Sequence, residues 1–80
     1  MIHASEIWDI IQTYMPRGRR VALQEIYQIV EDYGDLDAED FEPESPSSDH
    51  PKWQRNVRNV LQRRKGKGEI QWVGRATYLL

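Results

Sequence analysis

The apolar residues of this chain change their spacing once, and that change limits the fold more than any other feature. Up to Leu61 they recur at helical intervals; from Ile70 onward they alternate around a Gly74–Arg75 turn signal. Between Ser5 and Met15, the residues Ile7, Ile10, Ile11, Tyr14 and Met15 make one stripe. Trp8 covers its edge, Ser5 is the N-cap candidate and Pro16 is the stop. A second helix is expected from Ala22 to Tyr33, with Leu23, Ile26, Tyr27 and Val30 inward, no obvious cap at Ala22, and Gly34 as its terminator. Val21, just before it, can pair as a very short strand. A third helix is expected to begin near Pro51, with Asp49 and His50 as cap candidates. On this helix Trp53, Val57, Val60 and Leu61 fall within an arc of about 100°.

Arg64, Lys65, Gly66, Lys67 and Gly68 then form a basic, flexible exit, followed by strands at Glu69–Val73 and Ala76–Leu80. Ile70, Tyr78 and Leu80 should face the helices, while Gln71 and Thr77 face out. Whether Trp72 or Val73 joins the inner set depends on a bulge. The expected core is therefore Ile7, Ile11, Tyr14, Leu23, Ile26, Tyr27, Val30, Trp53, Val57, Val60, Leu61, Ile70, Tyr78 and Leu80. A two-stranded ribbon is marginal alone and must pack on the helices. Three helices followed by a C-terminal hairpin in one 80-residue domain give an α+β layout, that of a winged helix-turn-helix. A plain three-helix bundle with a frayed tail is the competing arrangement.

Charge is segregated. Residues 1–20 carry three Arg against Glu6 and Asp9; residues 21–49 carry ten acids and no base; residues 50–80 carry eight bases and one acid, Glu69. The net charge of −2 conceals this, and binding responds to the field of one face rather than the average. The acid-rich stretch 35–50, with Pro43, Pro46 and three Ser, is expected to be an exposed, partly mobile loop in which only Leu36 and Phe41 could dock on a core. Opposite the apolar arc of the third helix lie Arg55, Arg58, Asn59 and Gln62, with no acid among them. Arg can take guanine by two parallel hydrogen bonds, and Asn or Gln can take adenine in the same way. These four are the candidate base-contacting residues for double-stranded DNA. Lys52, Arg63, Lys65 and Lys67 suit phosphate contacts, and Arg75 at the hairpin tip suits the minor groove or phosphate.

Pro51–Leu80 resembles the winged-helix domains fused to restriction endonucleases and to chromatin-associated regulators (the HARE-type winged helix). Trp53 opens the helix, Val57-Arg58-Asn59-Val60-Leu61 matches its interior, and Val73-Gly74-Arg75-Ala76-Thr77-Tyr78-Leu79-Leu80 matches the closing strand. Gln24-Glu25-Ile26-Tyr27 is similar to the family's Glu-Ile step in the second helix. The resemblance implies a noncatalytic DNA-binding module of a restriction system or of transcription regulation. Two departures stand out. Ala76 replaces a second glycine, so a left-handed backbone there is expected to be absent or rearranged. The acidic connection is longer than the usual turn before a recognition helix, which suggests either a shield over the basic face or a surface for a basic protein partner.

Other chemistries find little support. There is no Cys, so no thiolate nucleophile, disulfide or zinc-finger ligand set. His3 and His50 are isolated, the acids lack a calcium loop's central Gly and closing Glu, and Gly66-Lys67-Gly68 does not lead into a phosphate-binding helix. No cofactor, metal or enzymatic activity is expected. No apolar run nears the roughly 18 residues that span a bilayer, so no membrane partner is expected and the cytoplasm is the default location.

Overall fold

The first helical stripe builds α1, Ala4–Tyr14, which buries Ile7, Trp8, Ile10 and Ile11. In the computed structural model, which describes all 80 residues, the chain continues through β1 (Arg20–Ala22), α2 (Leu23–Tyr33), α3 (Lys52–Gly66), β2 (Gln71–Gly74) and β3 (Thr77–Leu79). The fold is α+β: three helices and a small antiparallel sheet in the order β1-β3-β2. Val21 pairs with Tyr78 and supplies the third strand that lets the C-terminal ribbon persist. Both C-terminal strands are therefore paired, and the frayed-tail bundle is ruled out.

Ile7, Ile11, Ile26, Tyr27, Val30, Trp53, Val57, Val60, Leu61 and Ile70 are buried in one cluster, joined by Ile2, Trp8, Ile10, Met15 and Val21. Leu23, Tyr78 and Leu80 are half-buried against it. Tyr14 is not in the core. It is 47% exposed and stacks on Tyr33, rings parallel with centroids 3.7 Å apart. Tyr14 sits on the last turn of α1, beside the last residue of α2, where a phenol can keep its hydroxyl in water.

None of the helices starts with a side-chain cap. His3, Ala22 and Pro51 occupy the N-cap positions, so Ser5, Asp49 and His50 do not serve as caps. Backbone from elsewhere replaces them. Leu23 N–H donates to the Ala76 carbonyl at the hairpin tip (2.8 Å). Lys52 N–H donates to Glu42 O (2.8 Å) and Trp53 N–H to Asp40 O (3.1 Å), so the acidic connection itself caps α3. Gly34 ends α2 in extended backbone, not a left-handed turn (φ −87°). It is needed for space, because a Cβ there would lie 2.5 Å from Val30 O and 3.0 Å from Ile2 Cδ1. The basic exit is not a separate linker: Arg64, Lys65 and Gly66 form the last turn of α3, pinned by Arg64, which pairs with Glu69 and lies over Trp8.

The connection between α2 and α3 follows a defined path. Leu36 packs on the core, whereas Phe41 stays 54% exposed. Fully buried Asp40 anchors the segment: its carboxylate accepts from Ile2 N–H (3.1 and 3.2 Å) and Asp37 N–H (3.0 Å). Beyond it Pro43 bridges Pro51, and Glu44 N–H donates to His50 O. No helix is long and apolar enough to cross a membrane.

Candidate nucleic-acid interface

Burial of Trp53, Val57, Val60 and Leu61 fixes the rotation of α3, and residues of its outer side line a groove together with the hairpin. This groove, of about 400 Å³, is lined by Arg55, Arg58, Asn59, Gln62 and Lys65 from α3 and by Trp72 and Tyr78 from the strands. All four candidate base-contacting residues share it, and no carboxylate belongs to its lining. Arg55, Asn59 and Gln62 are exposed, and Arg55 has no ion-pair partner.

The hairpin side depends on a bulge. Trp72 opposes Tyr78 and Gly74 opposes Thr77, leaving Val73 as the extra residue. The bulge settles the question left open by the alternation: Val73 is half-buried and Trp72 is 57% exposed. The Lys65 ammonium lies 5.3 Å from the Trp72 ring centroid, a cation–π distance. Burial pushes the Tyr78 phenol pKa up, with a smaller contribution from Tyr27, so its hydroxyl keeps its proton at neutral pH.

Arg58 departs from its expected outward position. It is half-buried and donates to the Tyr27 hydroxyl (3.2 Å) and to Glu44 Oε2 (2.7 Å). It projects from the side of α3 that faces α2 and the acidic connection, not from the middle of the free face. Burial opposes its charge, yet the bonds to Tyr27 and Glu44 outweigh that, and its pKa lies above the ordinary arginine value. The hydrogen bond from Arg58 holds the Glu44 carboxyl below the usual glutamate range. Glu42 and Glu44 flank the bridged Pro43, and both carboxylates reach cations of α3. Glu42 meets Lys52 at 3.3 Å, which leaves Lys52 partly committed within the molecule.

The remaining candidates are spread more widely. Arg63 borders a neighbouring depression of about 260 Å³ with Asn56, Asn59 and the N-terminal residues. Lys67 is the C-cap of α3 and Arg75 lies in the hairpin tip; both are exposed, and neither lines the groove. Glu44 and Asp40 were not singled out from the sequence. The signal available was the placement of Glu42 and Glu44 on either side of Pro43, which gains meaning only once Pro43 pairs with Pro51. Comparison with protein-family models, curated proteins and solved structures gives no match to this chain.

Proposed function

We propose that this chain is a winged-helix module that binds double-stranded DNA without catalysis, placing α3 in the major groove and the β2–β3 hairpin alongside as the wing. The observation that carries this reading is the groove itself. Five polar or cationic side chains of α3 converge on it with two aromatics of the hairpin and no acid. Arg55 is the guanine-type contact, and Asn59 and Gln62 are the adenine-type contacts. Arg63, Lys65, Lys67 and Arg75 supply phosphate contacts, with Lys52 joining when it leaves Glu42. Arg58 reads bases only by exchanging the Glu44 carboxylate for a base edge. The resemblance to winged helices of restriction enzymes and chromatin regulators supports a restriction-associated or regulatory role.

The test is a fluorescence-anisotropy titration with mixed-sequence duplex at two salt concentrations. Arg55→Ala should weaken binding and relax base preference, whereas Lys65→Ala should weaken all sequences alike. Duplex affinity unchanged by both substitutions would remove this face from the interface. A second reading, a protein-interaction module engaging a basic partner, is favoured by Phe41, which is exposed among the exposed acids Asp37, Glu39 and Glu42. It predicts no duplex binding at low salt, and loss of the partner when those acids are neutralised.

A further inference from the structure

Three tryptophans occur in the chain, and two are accounted for by packing. Trp53 is 2% exposed and meets Tyr27 edge-on (5.7 Å, 78°); Trp8 is 5% exposed, beneath Arg64. Trp72 has no such role. It is 57% exposed, forms no aromatic pair, and carries over its ring the end of a long, flexible lysine. It also lies in the same groove as Asn59, Gln62 and Arg55, whose amide and guanidinium groups match base edges.

An intact duplex offers the groove edges and backbone but no free base face, because each face is covered by its neighbours. An indole placed beside edge-binding amides therefore has a use that paired DNA does not satisfy. We propose that the groove between α3 and the hairpin takes an unpaired nucleobase of an interrupted DNA duplex, with Trp72 stacking on its face and Asn59 and Gln62 bonding its edge. This rests on the reading of the α3–hairpin groove as a DNA-binding surface and extends it to a class of substrate. The groove volume, about 400 Å³, lies toward the small end of ligand pockets. Lys65 yields the ring to the base and remains near the phosphates. A base already unpaired is selected because little stacking and no pairing must be broken to deliver it.

The experiment compares one duplex, fully paired or carrying a single unpaired base, by anisotropy at fixed salt, with tryptophan fluorescence as a second readout. The interrupted duplex should bind roughly tenfold more tightly, in keeping with the contribution of one stacked base, and should quench the exposed tryptophan. Trp72→Ala should remove most of the advantage of the interrupted duplex while weakening the paired one much less, and Trp72→Phe should keep most of the preference. Equal binding of both duplexes overturns the proposal and leaves the duplex reading standing. The same holds if Trp72→Ala weakens both equally, since Trp72 is then a backbone contact. Binding of the interrupted duplex alone, dependent on Trp72, upholds the proposal and overturns recognition of paired DNA. Absence of binding to either overturns both.

Discussion

Ala76 adopts φ +50°, a left-handed conformation that costs a residue with a Cβ about 1–2 kcal/mol. A left-handed backbone, expected from the sequence to be absent or rearranged at Ala76, is thus present, and alanine bears the strain. It persists because the Ala76 carbonyl accepts the first N–H of α2 while the neighbouring residues are held in the sheet register. Ala76→Gly relieves the strain but adds freedom to the unfolded chain, leaving a net stabilisation of about 1 kcal/mol, visible as a higher urea midpoint. Asp40 has the opposite balance. Its carboxylate accepts backbone N–H groups from both Ile2 and Asp37, and Asp40→Asn leaves one oxygen where two served. A loss of about 1–3 kcal/mol is expected, measured by thermal or urea unfolding. An Asp40→Asn protein as stable as the parent would mean that those donors find other partners.

At the scale of elements, the helices were legible because a buried stripe imposes a period that tertiary context seldom changes. Trp53, Val57, Val60 and Leu61 are buried as their spacing requires. The acidic connection was not legible. Its contacts depend on Pro43 meeting Pro51 and on backbone carbonyls reaching α3, and neither leaves a periodic trace. The same cause displaced Arg58: helical spacing gives its angle on α3 but not the arrival of Glu44. The groove was half legible, since the α3 residues follow from the wheel whereas Trp72 waited on the bulge.

The Glu44–Arg58 contact makes two testable demands. Because the folded-state pKa of Glu44 is depressed, its stabilisation is fully present above the ordinary glutamate value and is lost as pH falls through the lowered one. The Glu44 carboxyl, followed by NMR, should titrate below the ordinary glutamate range and return toward it in Arg58→Ala. Glu44→Gln should also raise duplex affinity about two- to fivefold at neutral pH, the scale set by a partly exposed ion pair. Unchanged affinity would mean that Arg58 keeps to Tyr27 and does not engage DNA.

For the whole molecule, the question is how a chain with ten acids in residues 21–49 can approach a polyanion. Distance and screening decide it. The protein measures 35 × 24 × 20 Å, whereas the screening length is about 10 Å at 0.1 M salt and about 30 Å at 0.01 M. At moderate salt DNA on α3 senses chiefly the groups at that helix, where Glu42 and Glu44 are already paired with Lys52 and Arg58; at low salt it senses the unpaired acids of the block as well. Five phosphate contacts, from Lys52, Arg63, Lys65, Lys67 and Arg75, give a log–log slope near −4.5 at moderate salt. Lys52 counts among the five because an exposed pair such as Lys52–Glu42 is weak enough for phosphate to replace. If Glu42 kept Lys52, the slope would be near −3.6, a difference that anisotropy titrations resolve. Below about 0.02 M the plot should flatten as long-range repulsion offsets the gain from counterion release. Replacing Asp35 and Glu39, which form no ion pair, with their amides should straighten it, leaving the moderate-salt slope unchanged. A plot that stays linear throughout in the parent protein would show that these acids do not repel the bound duplex.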